Sequence, residues 1–162
     1  MKHKNIVSGF TLVELLIVLA VIGILVGLGV SGLIRERRYQ DLRSVQTQLS
    51  TDIERVRSLA RRYSYDYRIT VTPATGVYTM QAIAANGTVI PSVSRLDGKI
   101  AAPVVILAAT PTTFIYSGPF GRLSGTTNVS IRIGYGTGVA DLKTSVDLVG
   151  VTGQVIRRVI KE

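Results

Sequence analysis

Two hydrophobic patterns follow one another along the first 63 residues. From Phe10 to Val30 every residue is apolar, Gly or Thr, except one carboxylate, Glu14. About 21 residues at a rise of about 1.5 Å each make a helix of roughly 31 Å, enough to cross the hydrocarbon core of a bilayer. From Leu42 the pattern becomes periodic. Apolar side chains fall at Leu42, Val45, Leu49, Ile53, Val56, Ala60 and Tyr63, in steps of three and four, with Arg43, Gln48, Asp52, Arg55 and Arg62 on the other side. That spacing is the mark of an amphipathic helix. One helix from Thr11 to Arg62 is therefore predicted, apolar all round in its first half and one-sided in its second.

After Tyr63 the period drops to two. Arg68–Thr72 and Val77–Ile83 alternate around the turn Pro73–Gly76, which predicts a hairpin. Turns are expected at Asn86-Gly87 and at Leu96–Lys99. Further strands are expected at Val104–Leu107, Thr113–Tyr116, Val129–Ile133, Ser145–Val149 and Gln154–Ile160, with loops at Ser117–Gly125 and Gly134–Gly138. One helix followed by strands with Gly-rich turns predicts an α+β fold, an antiparallel sheet laid on the helix. The expected divisions are 1–9, 10–33 and 34–162, the last split into a helical part, 34–63, and a β-rich part, 64–162.

The N-terminal segment carries the most specific signal. A lone carboxylate inside an apolar span is costly in lipid and calls for a reason. A signal anchor, or a cleaved signal peptide ending near Val30-Ser31-Gly32, explains the hydrophobicity but not Glu14. The run Ser8-Gly9-Phe10-Thr11-Leu12-Val13-Glu14-Leu15-Leu16 resembles the leader junction of type IV prepilins and type II secretion pseudopilins. The resemblance implies that a prepilin peptidase cuts between Gly9 and Phe10 and methylates the Phe10 amine. It further implies that Glu14 pairs with the Phe10 ammonium of a neighbouring subunit when subunits stack into a filament. A buried charge of this kind fixes register more than it adds stability. The implied location is the inner membrane, crossed once, with the N-terminus cytoplasmic and the body periplasmic or extracellular. Lys2 and Lys4 agree with that orientation, whereas Arg35, Arg37 and Arg38 oppose it. Gly23 and Gly27 make a small-xxx-small pair within the span.

Net charge adds a second possibility. The chain carries +9, and losing Lys2 and Lys4 with the leader leaves +7. Such an excess favours anionic partners, nucleic acid among them, although a basic surface also serves plain solubility. Arg55, Arg57, Arg61, Arg62 and Arg68 form the densest basic stretch, for which a solvated helix face is the simpler explanation. The layout as a whole resembles the GspH/FimT group of minor pseudopilins, some members of which bind DNA. That group often closes on Gly-Arg-x-Arg; here Gln154 follows Gly153, and the basic pair comes later, at Arg157 and Arg158. The candidate DNA contacts are Arg157, Arg158 and Lys161, extended by Arg122 and Arg132.

Catalytic chemistry finds little support. The one His, His3, lies in the leader, and there is no Cys. Ser-His, Cys-His and thiolate-metal sites are thereby excluded from the mature chain, and no disulfide forms. Gly134-Tyr135-Gly136-Thr137-Gly138 is more simply a loop between strands than a phosphate cradle. Asp141 and Asp147, six residues apart, are poor evidence for a complete oxygen cage around calcium. No cofactor and no metal are expected.

Overall fold

The apolar run and the periodic stretch join into one helix, α1 (Leu12–Tyr63), of 52 residues. The computed structural model describes residues 10–93, 95–125, 128–136 and 142–160. The chain divides into two units, Met1–Arg37 and Arg38–Glu162, and α1 runs through the boundary. In the first unit α1 is long and apolar enough to cross a membrane, and its described apolar side chains are exposed. In the second unit its apolar stripe is covered. Leu42, Leu49, Ile53, Val56 and Ala60 are all buried. Burying a Leu, Ile or Val side chain contributes about 1.5–3 kcal/mol. The helix stops at Ser64, which takes a left-handed backbone conformation (φ 55°), the usual geometry just past a helix end.

Nine strands follow among the described residues: β1 (Asp66–Thr72), β2 (Val77–Ile83), β3 (Leu96–Lys99), β4 (Val104–Thr110), β5 (Thr113–Ser117), β6 (Arg122–Ser124), β7 (Asn128–Tyr135), β8 (Lys143–Val149) and β9 (Gln154–Ile160). They form two antiparallel sheets rather than the single sheet expected, in the orders β3-β2-β1-β5-β6 and β4-β7-β8-β9. Both contribute to one core with α1: Ile69, Val71, Tyr78 and Met80 from the first, Ile131, Ile133, Val146 and Leu148 from the second. The sheets are also tied directly. The Leu123 N–H donates to Val151 O (2.9 Å), and the Tyr116 hydroxyl donates to Gly153 O (2.8 Å).

Two segments differ from the sequence expectation for identifiable reasons. Leu96–Lys99 is a strand, not a turn. Gly98 sits opposite Tyr78 in the β2–β3 register, and a Cβ there would overlap the Tyr78 ring. This glycine marks a close side-chain approach inside a sheet. The expected loop Ser117–Gly125 contains β6. Only Leu123 of its three residues is buried, so there is no period long enough to read. Within α1, Tyr63 leaves the stripe and is 48% exposed, whereas the polar Gln46 and Ser50 lie in it and are buried. The stripe runs 42, 46, 49, 50, 53, 56, 60, and Val45 lies at its margin.

Candidate functional site

The start of α1 is closed by a reciprocal pair. The Glu14 N–H donates to Thr11 Oγ1 (3.2 Å), and Glu14 Oε2 accepts from both the Thr11 N–H (3.2 Å) and the Thr11 hydroxyl (3.1 Å). This is a capping box, with Thr11 as N-cap and Glu14 three residues on. It satisfies donors that a helix N-terminus otherwise leaves open, and it sets a negative charge at the positive end of the helix dipole. Phe10 precedes the cap and is 76% exposed. Gly9 lies outside the described residues. The role of Thr11 escaped the sequence reading, although the Thr-x-x-Glu spacing is itself the signal.

The basic residues singled out for DNA divide among separate surfaces. Arg132, Ser145 and Arg158 are register partners across β7, β8 and β9, so the two arginines share one face of that sheet. Arg158 Nε lies 3.4 Å from Asp147 Oδ2. Asp147 also accepts from the hydroxyls of Ser130 (2.8 Å) and Ser145 (3.2 Å). Arg157 projects to the opposite face, where it donates to Thr47 Oγ1 of α1 (3.4 Å). Arg122 belongs to the other sheet, with its guanidinium 5.3 Å from the centre of the Phe120 ring. Lys161 and Asp141 lie outside the described residues.

The arginine-rich end of α1 is more built than a solvated face. Arg57 Nε donates to Gly121 O (3.3 Å) and Arg61 Nε to Phe120 O (3.2 Å), while Arg57 also pairs with Glu54 (3.6 Å). The Gly118 N–H donates to Asp66 Oδ1 (2.9 Å). Gly118 packs so closely that a Cβ would lie 2.5 Å from the Ser64 carbonyl carbon. The loop between β5 and β6 is thereby pinned to the helix end. Arg68 is engaged elsewhere, donating to Gly87 O (3.0 Å). Among the described residues no three His, Cys, Asp or Glu side chains gather as a metal site.

The family model for the prokaryotic N-terminal methylation motif matches residues 4–30. No curated protein matches the chain. Among solved structures, the crystal structure of the type IV minor pilin FimU of Pseudomonas aeruginosa matches with a TM-score of 0.56 and 17% sequence identity. That match covers 80% of this chain and 92% of the FimU chain, and the likeness is one of fold. The chain thus joins a prokaryotic N-terminal methylation motif at its start to a fold like that of a type IV minor pilin.

Proposed function

We propose that the protein is a minor pilin or pseudopilin, built into a type IV pilus or a type II secretion pseudopilus. A prepilin peptidase cuts between Gly9 and Phe10, and Phe10 becomes the N-methylated first residue. The subunit waits in the inner membrane, held by the apolar half of α1. It then joins other pilins in a filament, where Glu14 takes the Phe10 ammonium of a neighbour. The observation that carries this reading is the methylation motif at residues 4–30, set on a helix whose apolar side chains between Leu12 and Val26 are exposed. The similar fold of a minor pilin supports it. The test is intact-mass and N-terminal peptide analysis of the membrane-extracted protein. The expected product begins at N-methyl-Phe10; an N-terminus at Met1, or beyond Val30, overturns the reading.

A second reading is capture of DNA. It is favoured by the charge of +7 that remains after loss of Lys2 and Lys4 from the +9 of the full chain, and by Arg132 and Arg158 standing on one sheet face either side of Ser145. Contacts of this type go to phosphates, so binding is expected to be independent of sequence and to weaken steeply with salt. Titrating labelled duplex DNA into the protein at two salt concentrations tests it. Replacing Arg132 and Arg158 together lowers affinity and flattens the salt dependence if the reading holds. Arg157, on the opposite face, is a separate position to replace, which separates the two faces.

A further inference from the structure

Exposed aromatic side chains are concentrated in one place. Apart from Phe10, the aromatic residues most open to solvent among those described are Tyr63, Tyr65 and Phe120. All three lie where the end of α1 meets the β5–β6 loop, since Gly118 abuts the backbone of Ser64 and Tyr65. Two of the three rings have a guanidinium against them. Arg122 lies over the Phe120 ring at 5.3 Å, Arg62 lies 5.5 Å from the Tyr63 ring centre, and Arg61 holds the Phe120 carbonyl. Four arginines (57, 61, 62 and 122) face two carboxylates, and both carboxylates are occupied. Glu54 pairs with Arg57, and Asp66 accepts from Gly118.

We propose that this surface binds single-stranded nucleic acid, with Phe120 as its central stacking platform. This goes beyond the duplex-phosphate reading above, because it names a different surface and a ligand with free base faces. The chemistry argues as follows. The Phe120 ring is 66% exposed and sits on a loop whose backbone is held at three points, at Gly118, Phe120 and Gly121, so the platform costs less to order than one on a free loop. Bases stack on such rings regardless of sequence, and neighbouring guanidiniums take the phosphates or extend the stack. A duplex hides its base faces and gains nothing from Phe120. Within the globular unit, about 36 Å of helix separates Arg38, where the chain enters, from Arg62. The patch thus lies at the far end of that helical stretch from Arg38, and an exposed ring beside guanidiniums suits a ligand that offers both flat base faces and phosphates.

The experiment uses the full chain in detergent micelles and three fluorescent probes of equal length: an oligothymidylate, the same strand with abasic sites throughout, and a duplex. The wild type is expected to bind oligothymidylate more tightly than the abasic strand. Phe120→Ala is expected to weaken oligothymidylate binding by about 5- to 150-fold, the effect of one lost base–aromatic stack. It should leave duplex binding unchanged, and Phe120→Trp should restore the single-strand affinity. Arg122→Gln should weaken the oligothymidylate and abasic complexes alike. Equal wild-type affinity for oligothymidylate and the abasic strand overturns the proposal. So does unaltered oligothymidylate binding by Phe120→Ala, including the case where that variant instead loses incorporation into filaments, which assigns the patch to subunit contact. Duplex binding that depends on Arg132 and Arg158 survives either failure. If no probe binds the wild type, both nucleic-acid readings fall together.

Discussion

The side-chain amide of Gln46 on α1 lies 2.8 Å from the main-chain oxygen of Ser145 on β8, inside the core. The same nitrogen reaches Arg158 O at 3.3 Å, so one glutamine ties the helix to two adjacent strands. Gln46→Ala removes both bonds and leaves the buried Ser145 oxygen without that donor. The expected loss is about 1–3 kcal/mol. Urea unfolding of the variant beside the wild type measures it, and an unchanged midpoint argues that the bond is dispensable.

Tyr67 and Tyr116 make a matched pair for testing what a buried hydroxyl is worth. Both rings are fully buried. The Tyr116 hydroxyl bonds Gly153 O, whereas the Tyr67 hydroxyl has no partner among the described residues. Tyr116→Phe should cost about 0.5–1.5 kcal/mol, the net value of an ordinary hydrogen bond. Tyr67→Phe should be neutral or stabilising by about 1 kcal/mol, because it deletes an unpaid desolvation. Thermal melts should therefore show a lowered midpoint for Tyr116→Phe and an unchanged or raised one for Tyr67→Phe.

High pH should weaken the fold. Burial pushes the phenols of Tyr116 and Tyr78 well above their ordinary pKa of 10.0, and for Tyr78 the Asp52 carboxylate that accepts its hydroxyl at 2.6 Å adds to the rise. The neutral phenol is favoured in the folded state. Its contribution is complete below pH 10, where the unfolded chain also keeps its protons, and is lost progressively as pH climbs above 10. Unfolding midpoints at pH 8 and pH 11 should show the fall. In Tyr78→Phe the fall should be smaller than in the wild type.

Glu14→Ala separates insertion from assembly. The substitution makes the span more apolar, so membrane insertion and cleavage at Gly9 should persist. It removes the carboxylate half of the capping box and the proposed partner of the neighbouring ammonium, while the position-14 N–H still donates to Thr11 Oγ1, so incorporation into filaments should fall steeply. Comparing variant and wild-type subunits in sheared filaments by immunoblot checks this. Thr11→Ala removes only the cap hydroxyl, and a milder defect is expected from it.

Much of this arrangement was legible in the sequence. The helix predicted from Thr11 to Arg62 runs from Leu12 to Tyr63, and β9 spans the residues expected of it. Long periods are robust because many side chains report the same face. What escaped notice was short or non-local. β6 has three residues and one buried side chain, too few for alternation to be visible. Gly98 reads as a turn until Tyr78 is seen lying across it. Gln46 reads as polar surface until β8 and β9 supply carbonyls 99 and 112 residues away in sequence. The basic residues could be counted but not placed, because strand register decides whether two arginines share a face, and register is a tertiary fact.

The anchoring of α1 has a mechanical consequence. Gln46 grips β8 and β9, Asp52 takes the Tyr78 hydroxyl of β2, and Arg57 and Arg61 hold the β5–β6 loop. These clamps are spread over about 22 Å of one rigid rod and reach into both sheets. A pull along the rod loads them side by side, in shear, so they must yield together rather than peel away in turn. Resistance to such a pull is a matter of unfolding rate rather than equilibrium stability. The globular unit is thus built to follow its helix under tension, as a bead fused to a cable rather than threaded on it.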